Sequence, residues 1–462
     1  PVHTDVAEAG RFVCSNDVVN RLQDMSRASL LNNFHSIPTD CPHREKQGWT
    51  ADTYMTDQAA IYNFDMAAFY AKWVEDLAGT QDSAGGLCTV APSTGYDQSI
   101  STVWPAAIVY VPWDLLAYYG DRRVVERHYE TMMRFAESSL LRQRDGKPEI
   151  IGEVLGDWVS PHMTLSDTLM SYSMAPPEGL TLYGTASHYR VVRNLAEVAR
   201  FLGKRDDAVR LDAWADRIAR RFNEEFFDAA SGIYHGENPT PYRQAANVVP
   251  LEYGLVPEAD SARVLGSLLR DLDGTRDRIG TGFVGTLSMM ELMPRIDPER
   301  AYRLATQPDY PGWGFMALSG ATTMWETWDG SASRNHPPFC LISAYFYKYL
   351  AGIRCDRAYP GFERFTVDPS VVGDLTFVEA WHDSPYGRIR SEWRRDGSRL
   401  TMKVSVPVGT TATIGVPTRD AAGVAESGRP VSGTDGVKFL RAAGGKAFYE
   451  VGSGSYVFTS RL

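Results

Sequence analysis

The sequence predicts a mainly α fold, an (α/α)6 barrel followed by a smaller antiparallel β-sandwich. Three observations support this. Up to about residue 353, helical periodicity recurs in about a dozen segments joined by loops rich in Gly, Pro and Asp. The helices come in pairs, as an inner ring of six wrapped by an outer ring of six requires. Beyond about residue 355 the texture changes to short alternating runs. A right-handed solenoid is the other arrangement paired helices permit, but no fixed repeat period is visible.

Taken in order, residues 1–16 read as the remnant of a preceding β domain or a linker. Residues 17–353 read as the barrel and 356–462 as the sandwich. The candidate helices are 17–34, 53–62, 65–79, 105–119, 121–142, 182–202, 204–228, 242–254, 258–272, 284–294, 297–306 and 339–352. Within 204–228, Val209, Leu211, Trp214, Ile218 and Phe222 are expected to share one face. In 400–408 (LTMKVSVPV), Leu400, Met402, Val404 and Val406 alternate onto one face of a strand. Runs 412–416 and 455–459 are similar, with turn signals at Asp396–Gly397 and Gly444–Gly445.

Composition narrows the function. The chain has 462 residues and a net charge of −10, which argues against nucleic acid or an anionic membrane as partner. Its 11 Trp, 23 Tyr and 19 Phe suit stacking on sugar faces as well as core packing. The five cysteines are widely spaced with no CxxC pair, so no zinc site and no disulfide framework is expected, and no metal or cofactor is called for. The apolar stretch near 105–119 is short and interrupted by Pro105, Pro112 and Asp114, so no membrane span is expected. No basic-then-apolar leader opens the chain, and the cytoplasm or periplasm is the expected compartment.

Residues 40–52, DCPHREKQGWTAD, crowd Asp40, Glu45, Asp52, Arg44, Lys46, His43 and Trp49 between helices. Such a loop on a rigid scaffold is a natural place for a site. Three further loops carry comparable chemistry. Trp104 precedes Pro105 at a helix start, and Asp157 and Trp158 follow Gly156. The stretch 310–336 holds Trp313, Trp325, Glu326, Trp328, Asp329, Arg334 and His336. In a barrel, loops at one end of the inner helices meet in a funnel. Carboxylates from an early and a late loop, walled by tryptophans, are what glycoside hydrolysis needs. One acid protonates the leaving oxygen; the other carboxylate activates water or attacks directly.

DCPHREKQGWTAD resembles the signature of the bacterial α-L-rhamnosidases of glycoside hydrolase family 78. Agreement continues through AAIYNFDMAAFYAKWVEDL, VPWDLLAYYGD, GDW, TGFVGT and YPGWGFMALSGATTMWETWDG with a following NH, and into the sandwich at SPYGRIRSEW. The resemblance implies an (α/α)6 barrel that hydrolyses terminal α-L-rhamnosides with inversion. It implies Glu45 as general acid and Glu326 as general base. Asp40, Arg44, Trp49, Asp52, Trp104, Asp157, Trp158 and His336 would line the sugar site, with Trp313 and Trp328 as further walls. The partner would be a rhamnose-containing glycoside or polysaccharide. The REKQGW segment is one residue shorter than the family pattern and leaves Glu45 as the one carboxylate between Arg44 and Trp49. Two other readings are a glycosidase for another deoxy or uronic sugar, and a catalytically weak glycan-binding relative.

Overall fold

The computed structural model describes residues 2–95, 101–162 and 175–462. Its helices are α1 (Asp17–Asn32), α2 (Thr50–Asn63), α3 (Ala67–Ala78), α4 (Ala107–Tyr119), α5 (Arg122–Ser138), α6 (Thr181–Phe201) and α7 (Arg205–Phe226). They continue with α8 (Gln244–Tyr253), α9 (Glu258–Thr275), α10 (Phe283–Ile296), α11 (Pro298–Thr306), α12 (Trp313–Leu318) and α13 (Leu341–Tyr345). A π-helical turn, Phe346–Leu350, extends the last of these.

Packing closes the ring. α2 lies against α4, α4 against α6, α6 against α8, α8 against α10, α10 against α13, and α13 against α2. The remaining long helices, α1, α3, α5, α7, α9 and α11, pack outside them. Sequence texture follows this division. α4 (AIVYVPWDLLAYY) is buried from Ala107 to Tyr118, because an inner helix has neighbours on every side. α7 buries only one stripe: Ala208, Leu211, Trp214, Ala215, Ile218, Phe222 and Phe226. Val209, expected on that stripe, is 69% exposed, since it lies about 200° round the helix from Leu211. Helix α12 forms inside a stretch expected to be loop. It is six residues long and too short to show a period, yet Trp313, Met316 and Ala317 bury one face.

The C-terminal part packs two sheets. The larger runs in the order Gly10–Cys14, Phe377–Ser384, Gly387–Asp396, Arg399–Val406, Gly454–Arg461, Ala425–Glu426 and Arg429–Pro430. Gly10–Cys14, from before the barrel, is thus its edge strand, antiparallel to Phe377–Ser384 with Gly10 opposite His382. The smaller sheet runs Val437–Ala443, Lys446–Val451, Thr411–Pro417, Arg364–Val367 and Ile353–Cys355. Here Thr411–Pro417 pairs parallel with Arg364–Val367, because the chain crosses to the larger sheet and back between them. Leu400, Met402, Val404 and Val406 all point into the core. Each such side chain contributes about 1.5–3 kcal/mol on burial. Trp393 and Ser391 donate to the carbonyls of Leu350 and Ala351, tying sandwich to barrel. Among the described residues no helix is long and apolar enough to cross a membrane.

Candidate active site

The candidate residues gather where the inner helices begin. The early loop leads into α2, and Asp52 sits in that helix's first turn. Trp104 opens the short 3₁₀ turn before α4, and His336 precedes the one before α13. Loops far apart in sequence therefore share one mouth of the barrel.

The early loop is pinched shut by Asp40. Its backbone N–H donates to the Gln47 carbonyl at 2.9 Å, and its Oδ1 accepts the Gln47 N–H at 2.8 Å. Lys46 takes a left-handed φ of 58° to make the turn. Gly48 lies so close to residue 91 that a Cβ would meet the Ala91 carbonyl oxygen at 2.1 Å, so only glycine fits. The tip of this loop presents Arg44 and Glu45. Trp49 Nε1 donates to Glu45 Oε2 at 2.8 Å and holds the carboxylate from below.

The late loop folds back on itself. Glu326 N–H donates to the Ser333 carbonyl at 2.7 Å, and Ser333 N–H returns to Glu326 Oε2 at 3.1 Å. The His336 N–H donates to the Met324 carbonyl, while Met324 is anchored to Ser29 Oγ of α1. Glu326 is buried at 3% exposure, whereas the Glu45 side chain is 31% exposed. Arg44 joins the two loops, its Nη2 donating to Glu45 Oε1 at 2.6 Å and to Glu326 Oε2 at 2.8 Å. The two accepting oxygens are no further apart than those two bonds laid end to end. Inverting glycosidases hold their carboxyl groups roughly 6.5–9.5 Å apart, which leaves room for a water.

Behind this pair lies a buried polar cluster. His336 Nε2 meets Asp52 Oδ1 at 3.0 Å, and its Nδ1 lies 3.9 Å from Glu326 Oε2. Phe283, at the start of α10, stacks on the imidazole with centroids 6.1 Å apart. Burial would deprotonate His336, but Glu326, Asp52 and Cys41 outweigh it and hold its pKa well above the usual histidine range. Burial pushes the Asp40 carboxyl up to about 9, with His336 opposing and Asp52 reinforcing. Burial also works to raise the Cys41 thiol, but His336, Asp40 and the N–H groups of Glu45 and Lys46 bring it down to about 6.

Four residues expected on the sugar wall are used otherwise, Asp40 among them, buried and closing its own loop. Asp157 is 1% exposed, and its two oxygens accept the N–H groups of Gly282 and Gly285 at 2.7 Å each. It caps α10 rather than facing the mouth. Trp313 and Trp328 are 0% and 1% exposed, pack edge to face at 5.2 Å, and donate to the carbonyls of Phe339 and Thr281. They are core. Trp104 and Trp158 meet edge to face at 6.4 Å, with Trp158 partly exposed. Sequence reasoning gave Cys41 no nucleophile role and passed over Phe283, Ser333 and Glu153; the last accepts the N–H groups of Thr102 and Val103 ahead of Trp104. Glu153 alone carried a signal, as the acid within the apolar run IIGEVL. Asp40, Cys41 and His336 also answer the expectation that no residues have metal-ligand spacing. Their donor atoms lie within 4.8 Å of one another, although sequence spacing could not join them.

Residues 7–350 match the bacterial α-L-rhamnosidase six-hairpin glycosidase domain, and residues 352–429 the bacterial α-L-rhamnosidase C-terminal domain. An α-L-rhamnosidase of Streptomyces avermitilis is 30% identical over 99% of this chain and 42% of its own length. One from Formosa agariphila is 29% identical over 89% of this chain and 44% of its own length. The chain thus spans less than half the length of these curated relatives. The solved α-L-rhamnosidase of Dictyoglumus thermophilum superposes with a TM-score of 0.89 at 31% identity, over 99% of this chain and 51% of that one. The Streptomyces avermitilis enzyme complexed with L-rhamnose gives 0.86 at 28% identity, over 99% and 42%. With both of its parts matched in order and the helical ring closed, the chain belongs to the bacterial α-L-rhamnosidase six-hairpin glycosidase family.

Proposed function

We propose that this chain hydrolyses terminal α-L-rhamnosides with inversion, Glu45 serving as general acid and Glu326 as general base. The observation that carries this is the meeting of two carboxylates from opposite ends of the barrel sequence on one guanidinium, at the mouth of a rhamnosidase-family barrel. Glu45 stands at the opening, where a leaving group departs. Glu326 is buried and held by Ser333, with His336 beside it, where a water would be activated. Trp49, Trp104 and Trp158 offer aromatic faces to sugar C–H surfaces, and Arg44, Asp52 and His336 offer polar contacts. Asp40 shapes the loop from behind. Inversion needs room for a water between sugar and base, so the two carboxyl groups are expected roughly 6.5–9.5 Å apart with substrate bound and the Arg44–Glu45 contact open.

The test is release of p-nitrophenol from the α-L-rhamnoside, with proton NMR of the first sugar formed. The β anomer is expected initially. Release from another deoxy or uronic glycoside but not from the rhamnoside would move the assignment to that sugar. Binding without release would leave a glycan-binding protein.

A further inference from the structure

We propose that Asp40, Cys41 and His336 form a binding site for a thiophilic divalent cation of the zinc class, and that its occupancy inhibits the enzyme. The binding half stands on geometry; the inhibition half rests on the hydrolytic reading above.

The donor set is carboxylate, thiolate and imidazole, all buried, with one ligand atom from each lying within 4.8 Å of the others. Tetrahedral zinc bonds of about 2.0–2.3 Å place ligand atoms roughly 3.5 Å apart, so small side-chain rotations close the site. Two buried polar atoms of these residues, Asp40 Oδ2 and His336 Nδ1, are without a hydrogen-bond partner. Such atoms are costly unless something satisfies them.

The surroundings are those of a metal site. His336 Nε2 lies 3.0 Å from Asp52 Oδ1, placing a carboxylate beside the imidazole as in the pairing that orients metal-binding histidines. The Cys41 sulfur accepts the Glu45 N–H at 3.3 Å, which favours a thiolate. On binding, the ion replaces any proton on the thiol and on the ligating ring nitrogen, and those protons leave to solvent. Glu326 Oε2, 3.9 Å from Nδ1, is within reach as a fourth ligand. Arg44, bonded to that same oxygen, opposes the ion and must shift aside. A cation there occupies His336 and neutralises Glu326, the two groups beside the attacking water.

Co²⁺ is the probe, because cobalt–thiolate bonds absorb in the near ultraviolet whether or not the protein has activity. One equivalent added to the purified chain should produce that band, and Zn²⁺ should abolish it. The band should be missing in Cys41→Ala, kept in Cys88→Ala, and require 10- to 100-fold more metal in Asp52→Asn. Zn²⁺ should inhibit rhamnoside hydrolysis reversibly with a chelator, and whatever activity Cys41→Ala retains should be insensitive to it. Should Cys41→Ala not fold, zinc-edge anomalous scattering from a soaked wild-type crystal decides, with a peak expected among the three residues. No band and no peak, or a band that survives in folded Cys41→Ala, overturns the site. Binding without inhibition of an active enzyme overturns the inhibitory half, and a band in a protein inactive on rhamnosides faults the functional reading, not the site.

Discussion

Glu45 and Glu326 accept hydrogen bonds from the same nitrogen, Nη2 of Arg44, at 2.6 and 2.8 Å. One cation thus holds together the two carboxylates that an acid–base mechanism must keep in different protonation states. Charge-assisted bonds of this kind are short and strong, and the shared nitrogen makes the pair respond as one unit.

Replacing either glutamate by Gln keeps size and polarity but removes proton transfer, so kcat should fall about 10²–10⁴-fold. The two variants should differ. Glu45→Gln should be partly spared on aryl rhamnosides with good leaving groups, which need little protonation. Glu326→Gln should not be spared, but azide should restore turnover and give a glycosyl azide of inverted configuration. Near-normal activity of Glu45→Gln on a poor-leaving-group rhamnoside would remove Glu45 as the acid.

Arg44→Lys keeps the charge but not the planar fork, and a mobile ammonium positions two carboxylates poorly. Its kcat/KM should drop about 10- to 100-fold, the equivalent of one charge-assisted hydrogen bond. In a structure with L-rhamnose bound, the wild-type carboxyl groups should stand roughly 6.5–9.5 Å apart with the Arg44–Glu45 contact open. An unchanged bridge, together with α-L-rhamnose as first product, would point to a retaining route.

Asp157→Ala should cost about 2 kcal/mol of stability, because it strips two acceptors from the start of α10. The same change should lower kcat through Phe283, which follows Gly282 and stacks on His336. Thermal melts and kinetics check both effects. Lost activity with an unchanged melting temperature would return Asp157 to the sugar wall.

His382 gives a pH-dependent stability. Burial between Tyr62 and Phe362 depresses its pKa to about 4, so it is neutral in the fold. The unfolded chain takes up this proton below about pH 6.5. The stability is therefore full above that pH and is lost as pH falls through 4. By pH 4.5 the loss should reach about 2–3 kcal/mol. Melting curves of wild type and His382→Leu at pH 7 and pH 4.5 measure it. The variant should gain relative to wild type at the lower pH, and parallel shifts would refute the assignment.

Much of this protein is local and therefore legible in its sequence. Helical and strand periodicity depend on neighbours along the chain, so all twelve candidate helices appear within a few residues of their expected bounds. The loops that carry acids beside tryptophans also stand out, since Gly and Pro punctuate them. What a side chain does inside a loop is different, because it depends on which distant backbone comes near. The family resemblance implies Asp157 and Trp328 as wall residues, although the i, i+3 spacing of Trp325 and Trp328 by itself favours core packing. Asp157 instead finds the open N–H groups of α10, and Trp328 is drawn against Trp313 and Phe339, where its surface is fully removed from water.

By itself the sequence determined twelve of the helical segments, three of the sandwich strands, the two carboxylate-bearing loops and the family signature, all set by spacing and residue type. Only the tertiary structure decided that α13 closes the ring against α2. That closure sets Arg44 between Glu45 and Glu326, and Cys41 beside His336. The physical reason is ring closure. Contacts between the first and last inner helices span almost the whole barrel sequence, and a periodicity read along the chain carries no information across that distance.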